Sequence, residues 1–419
     1  MTRASRQAAI PFILVTVFLD VLGIGLIIPV LPAFIAQFTT SREAQAHWYG
    51  VLAASYGLMQ FFAAPALGAL SDRFGRRPVL LLSMMGLGVN YLLAALAPSI
   101  WFLLVARLIG GLTGASFSVA GAYVADITEG SRRGKSFGII GAAFGMGFIF
   151  GPVVGGVLGN VDLRLPYLVA AGLSAINTFY GFFILPESLP KDRRVPFAWA
   201  RSNPFTAIFA LVKLRAAGSL IFVIGLTALS QFILQTTFVL FTTFRFNWQP
   251  RDNGFALFVV GVVAAVVQGG LLGFFLKHLG ERRVVLLGLS SGVIAYFLYG
   301  SVLHGWMIYV IIAGNFLSFA TAPALQGIIS RAVGDMAQGI TMGSINSLNS
   351  VMLVIAPLIG AAMLAQGAHW APDDWRVGAV FYLASFLQAI ALVLAWRHFA
   401  AIRAAASSRT LSRPWPSPG

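Results

Sequence analysis

The chain has 419 residues, of which 58% are hydrophobic and 10% charged, with a mean hydropathy of +0.85. Soluble domains run at about 45–50% apolar and about 25% charged, so an ordinary soluble protein is excluded and a polytopic membrane protein is the natural class. An excess of 28 basic over 13 acidic residues, net +15, would suggest nucleic acid in a soluble protein; here its meaning depends on where the charges fall. Cysteine is absent, which removes disulfide frameworks, thiolate metal sites and cysteine nucleophiles.

A spanning helix needs about 20 mostly apolar residues. Twelve such runs succeed one another, at 12–36, 48–70, 79–98, 101–125, 136–158, 165–185, 217–241, 254–276, 284–303, 305–329, 338–364 and 376–397. The first has no small-residue cleavage site behind it and reads as a span, not a cleavable signal. The longest polar break, 187–215, divides the runs six and six. This predicts an N-terminal bundle (1–186), a cytoplasmic central loop (187–215), a C-terminal bundle (216–399) and a disordered cytoplasmic tail (400–419) rich in Arg, Ser and Pro. With the N-terminus inside, 22 of the 28 basic residues fall on cytoplasmic segments and 5 on the opposite side, leaving Arg107 inside span four. That is the positive-inside pattern, so the charge reports topology and nucleic acid is not an expected partner.

Two segments 205 residues apart repeat one another. "GALSDRFGRRP" begins at Gly68 and "GFFLKHLGERR" at Gly273; Gly68 and Gly75 match Gly273 and Gly280, and each segment follows the second span of its half. Duplicated six-helix halves are the mark of secondary transporters.

Three motifs carry a family resemblance: "GALSDRFGRRP" (68–78) between spans two and three, "RLIGGLTGAS" (107–116) with its intramembrane arginine, and "GMGFIFGPVVGG" (145–156) in span five. With "LDVLGIGLIIPVLP" (19–32) and "APALQG" (322–327), the chain resembles the major facilitator superfamily and, within it, the tetracycline/proton antiporters of the drug-efflux group. The resemblance implies an all-α integral membrane fold, with 12 transmembrane helices in two pseudo-symmetric six-helix bundles. It also implies a monomer in the bacterial inner membrane, both termini cytoplasmic, that exports a tetracycline-like or other small amphipathic drug, or a metabolite, in exchange for protons. No enzymatic activity, cofactor or metal is implied.

In the first motif, Gly68 lets two helices approach closely. Asp72 ends span two, where a carboxylate can face the positive N-terminus of another helix. The resemblance places that helix at the start of span eleven, near Gln338. Arg73, Arg76 and Arg77 supply the charge, with Arg73 and Arg76 placed to pair with acids such as Asp126. Gly68, Asp72, Arg73, Gly75, Arg76, Arg77 and Asp126 then form a latch joining the halves on the cytoplasmic face when the cavity opens outward. The plainer alternative, a positive-inside loop, leaves Asp72 unexplained. The second copy has Lys277 in place of the acid, so the latch is asymmetric. In span five, Gly147, Gly151, Gly155 and Gly156 permit tight packing and Pro152 permits a bend; the resemblance implies that this packing keeps the halves from leaking.

One acid, Asp20, falls inside a span. Intramembrane charge costs about 2.5–3.5 kcal/mol on insertion scales, so Asp20 and Arg107 are functional candidates by default. Asp20 either carries the coupled proton, its proton affinity changing as its surroundings change, or is a fixed structural group. Arg107 organises the N-terminal cavity or tunes a nearby proton site. The candidate substrate contacts are Tyr56, Gln60, Asn90, Gln231, Gln235, Gln268, Asn315, Gln326, Asn346 and Asn349, each of which serves equally well as helix glue. Tetracycline exporters carry an acid, a histidine and an acid where this chain has Asn90, Ala264 and Gly292, so a less charged or more apolar substrate is expected. "GSRRGKS" (130–136) has three residues between its glycines where a phosphate-binding loop needs four. Transport must therefore draw on a gradient. The rival readings are a proton-independent facilitator or importer and a non-transporting receptor or scaffold.

Overall fold

The computed structural model describes residues 3–114, 116–128, 133–196, 219–333 and 335–411, and every regular element among them is helical. The twelve apolar runs become twelve helical legs. Span one is Arg3–Ile27 with a short continuation Leu31–Ala36; spans two and three are Arg42–Phe74 and Arg76–Ala95; span four is Ile100–Thr113 with Ser116–Ile127; spans five and six are Arg133–Val161 and Leu165–Ile184. Span seven is Leu220–Phe246; span eight is Pro250–Val266 with Leu272–Leu279; span nine is Glu281–Ser301; span ten is Gly305–Gly314 with Thr321–Val333; spans eleven and twelve are Asp335–Gly367 and Ala379–Leu411. Ten of these are long and apolar enough to cross a bilayer; span ten is a pair bent by 47°, and the apolar part of span one, Pro11–Ile27, is shorter.

The interruptions have local causes. Span one stops before Pro29, since the residue preceding proline is pushed out of the helical region. Span four breaks after a run holding Gly110, Gly111 and Gly114. Span eight contains one π-turn, Val267–Leu271, around Gly269 and Gly270, and span ten tightens into a 3-10 turn, Phe316–Ala320, after Asn315. Span twelve stays helical to Leu411, past residue 400 where a disordered tail is expected; the stretch "AAIRAAA" from Ala400 is made of strong helix formers. Most of the central loop, from 197 to 218, and the tail beyond 411 lie outside the described residues.

The apolar core is one body at one end and two at the other. A large cluster draws Leu26, Phe34, Leu52 and Tyr167 from spans one to six together with Ile233, Phe241, Tyr299 and Phe381 from spans seven to twelve. A second cluster holds Phe12, Leu80, Tyr123 and Leu185, all from the first group. A third holds Leu220, Val285, Leu325 and Phe399, all from the second. The shared core sits away from the Arg-rich loops, so the two groups of spans are joined there and separated at the basic end.

Two antiparallel pairs make the join, span two with span eleven and span five with span eight. Gly57 lies so close to span eleven that a β-carbon on it would stand 3.0 Å from the Leu353 carbonyl oxygen. Toward the basic end the close contacts stop: Gly68, Gly141, Gly145, Gly269, Gly270 and Gly273 have nothing within 4 Å of where a side chain would begin. The close approach expected at Gly68 therefore does not occur, because Gly68 lies where the groups have separated. The internal repeat is visible in the backbone. Among the described residues, the only glycines with positive φ are the matching pair Gly75 (109°) and Gly280 (75°).

Candidate functional site

Span five is the wedge on which the cleft is built. Its glycines use two faces. Gly147, Gly151 and Gly155, four apart, meet span one: a β-carbon on Gly147 would stand 2.8 Å from the Phe18 carbonyl oxygen and one on Gly151 2.8 Å from the Gly25 α-carbon. Gly156 meets span eight, where a β-carbon would stand 2.5 Å from the Pro250 carbonyl oxygen, and the Pro152 carbonyl presses on Gly254. Small residues thus let one helix touch its own group and the other at once. The register is regular: Gly156 faces Gly254 and Ile149 faces Gly261, seven residues further along each helix.

Where the wedge ends, a cavity of about 330 Å³ opens. Its walls come from spans seven, eight, nine, ten and twelve, closed on the far side by Phe144 and Phe148 of span five. Among the predicted contacts, Gln231, Gln235, Gln268 and Asn315 line it, and Gln326 and Asn349 join Gln231 and Gln235 around an adjoining space of about 200 Å³. The helix irregularities place two of these: Gln268 sits in the π-turn of span eight and Asn315 at the bend of span ten. A π-turn adds one residue to the turn and re-aims the side chains on it. Asn315 is held by Ser291, whose hydroxyl donates to its Oδ1 at 3.0 Å. Asn346 lines neither space and is exposed.

Tyr56, Gln60 and Asn90 line neither space; they pack within spans one to six. Gln60 donates to the Gly114 carbonyl at 3.2 Å, taking up a backbone acceptor freed by the break in span four. Tyr56 covers the same break, its hydroxyl 2.6 Å from where a Gly114 side chain would begin, and Asn90 closes on Gly110. Helix glue describes the observed contacts of Tyr56 and Gln60. Asn90 is 3% exposed and its Oδ1 has no partner.

Asp20 is buried in span one. Tyr56 and Tyr91 lie within electrostatic reach of both Asp20 and Arg107. Tyr49 and Tyr167 also lie within electrostatic reach of Arg107, whose Nη2 is buried without a hydrogen-bond partner. The charged pair thus belongs to the first group of spans and the amides of the cavity to the second.

At the basic end the charges of the first motif close on partners within the first group. Arg76, largely buried, pairs with Asp72 at 2.6 Å and Asp126 at 3.0 Å and donates to Ser71 Oγ at 2.6 Å. Arg77 donates to the Phe182 carbonyl, and Arg73 stacks over Phe74 at 5.0 Å in place of the expected pairing with Asp126. The side chains near Gln338, where the partner of Asp72 is expected, lie outside the described ones. With the two groups separated here, Asp72 at the end of span two takes as partner Arg76 at the start of span three, within its own group. One contributor escaped notice in the sequence: Glu187, directly after span six. Its carboxylate accepts the Arg76 and Arg77 backbone N–H groups at 2.8 and 3.3 Å and so caps span three. The second copy repeats the arrangement with its charges exchanged. Glu281 and Arg331, each 205 residues after Arg76 and Asp126, form an ion pair of the opposite sense.

Two helical groups joined at one end, parted at the other and enclosing a cavity midway are the architecture of a membrane transporter. The comparisons with known proteins agree. The family model of the Major Facilitator Superfamily matches residues 13–357, and the chain belongs to that superfamily. It is 39% identical to the class C tetracycline resistance protein of Escherichia coli, over 90% of this chain and 94% of that one. It is 35% identical to the Escherichia coli class B protein, over 91% and 95%. Multidrug resistance protein 2 of Bacillus subtilis (strain 168) is 29% identical over 87% and 91%. Among solved structures, the human organic anion transporter MFSD10 aligns with a TM-score of 0.69 at 23% identity, covering 94% of this chain and all of that one. A D-xylose-proton symporter aligns with a TM-score of 0.74 at 16% identity, covering 92% and 97%; both likenesses concern the fold. The chain is thus a multi-pass membrane transporter and not an enzyme.

Proposed function

We propose that this transporter exports a small amphipathic drug or metabolite in exchange for protons by alternating access. The observation that carries the reading is Asp20, a buried acid in span one that shares Tyr56 and Tyr91 with Arg107, apart from the cavity. Rocking of the two groups about the joined end changes what surrounds Asp20, and a carboxyl moved between environments binds and releases a proton. The similarity to tetracycline and multidrug resistance proteins supports export of a drug-like compound. The basic loops put the parted end on the cytoplasmic side, with both termini inside and a bacterial inner membrane as the address. In this state the cavity loads from the cytoplasm. The span-five wedge on spans one and eight, and the charges around Arg76, serve as the pivot and as the cytoplasmic fastening.

The test uses everted membrane vesicles energised by respiration with a fluorescent pH probe, to which tetracyclines, quinolones, chloramphenicol and dyes are added in turn. We expect at least one compound to release protons with the unaltered protein and none with Asp20→Asn. Equal release by both makes Asp20 structural. Downhill uptake of labelled solute without proton release would replace the exporter by a facilitator.

A further inference from the structure

Resting on the transporter reading above, we propose that the cavity takes an uncharged substrate, and that Gln388 and Thr227 bind its hydrogen-bonding group. The described residues lining the cavity include no Asp, Glu, Lys, Arg or His. Its polar groups are amides and hydroxyls and the rest is aliphatic or aromatic, including Phe238, Tyr296 and Phe319. A charged guest would leave water without meeting an opposite charge, a loss that an interior of this kind does not return. A neutral amphipath loses only its polar contacts with water and regains them from amides while its apolar face meets the rings. The volume suits such a molecule.

The two named residues come from spans twelve and seven and stand out for what they lack. Gln388 is 2% exposed and Thr227 7%, yet Gln388 Oε1 and Thr227 Oγ1 have no hydrogen-bond partner. Nine in ten buried polar atoms do have one. An unpaired buried acceptor has already lost its water, so a donor delivered by a ligand recovers a full hydrogen bond. Two such atoms on two different helices beside one cavity describe a receptor for an N–H- or O–H-bearing group. The charged residues of the first group, Asp20 and Arg107, do not line this cavity, so the guest need not carry charge to be coupled to them.

The experiment measures equilibrium binding to the full-length protein in lipid nanodiscs. The uncharged probes are chloramphenicol and two further neutral aromatic amides; the charged probes are tetraphenylphosphonium and magnesium-tetracycline. We expect a neutral probe to bind and the cations to bind at least tenfold more weakly. Gln388→Met, nearly isosteric, is expected to weaken the neutral probe about tenfold, the worth of one hydrogen bond. The same substitution should leave the melting temperature of the ligand-free protein unchanged or higher, because the atom removed was unpaired. Thr227→Val is expected to act in the same direction. Binding of cations as tight as that of neutral probes, binding of no neutral probe, or a lower melting temperature for Gln388→Met with unaltered binding each overturns the proposal. Binding needs no proton gradient, so failure here and failure of the Asp20→Asn test are separate results.

Discussion

Gly75 carries two constraints at once. Its φ of 109° lies where a side chain is strained, and the space a β-carbon needs is filled by the Glu187 carboxylate. The strain alone is worth about 1–2 kcal/mol. Glu187→Ala removes the cap of span three, worth about 0.5–2 kcal/mol. We expect Gly75→Ala to lower the melting temperature in detergent more than Glu187→Ala. The double variant should fall short of the sum, because removing the carboxylate opens the space that the new methyl needs. The glycine was legible as a residue of the first motif. Glu187 was not, because a carboxylate 111 residues away acquires its role only when span six returns beside span three.

At the scale of elements, the exchanged ion pairs offer a comparison within one molecule. Arg76 has 11% of its side chain exposed and two carboxylate partners; Arg331 has 61% exposed and one. Exposed pairs are worth about 0–1 kcal/mol, whereas stranding partly buried charges costs several times more. Arg76→Ala is therefore expected to lower the melting temperature by several degrees and Arg331→Ala by a degree or less. Equal effects would mean that burial does not distinguish the two pairs. The irregularities of spans four, eight and ten belong to this scale too. Their glycines stood in the sequence, but that the π-turn of span eight carries Gln268 into the cavity is visible only in the packed helices.

For the whole molecule, the register of spans five and eight predicts the other state. Gly156 faces Gly254 and Ile149 faces Gly261, and eight residues further along each helix Gly141 would face Gly269, both now without neighbours. Closing the basic end should bring these two together. The chain has no native cysteine, so a Gly141→Cys/Gly269→Cys pair reports without background. We expect little cross-linking by a short bifunctional reagent in the state described here, and efficient cross-linking when the cleft opens to the opposite side. A Gly57→Cys/Leu353→Cys pair at the joined end should behave in the reverse way. Efficient linking of both pairs under one condition would rule out rocking about the joined end.

Hydropathy by itself determined the class of protein and the twelve legs, because each spanning helix must satisfy its own backbone and be apolar along its length; the repeat lay in the matching motifs at Gly68 and Gly273. Asp20 and Arg107 were visible for the same reason: charge is rare in a span. Only the tertiary structure decided the partners of the uncharged polar residues. Tyr56 and Gln60, four residues apart on one face, serve a break in span four, while Gln231 and Gln235, with the same spacing, line the cavity. Gln388 looked like any other intramembrane amide until its surroundings were known. An amide carries no signal of its own; whether it holds helices together or waits for a ligand depends on whether a partner from another helix reaches it, and that is settled only when the helices pack.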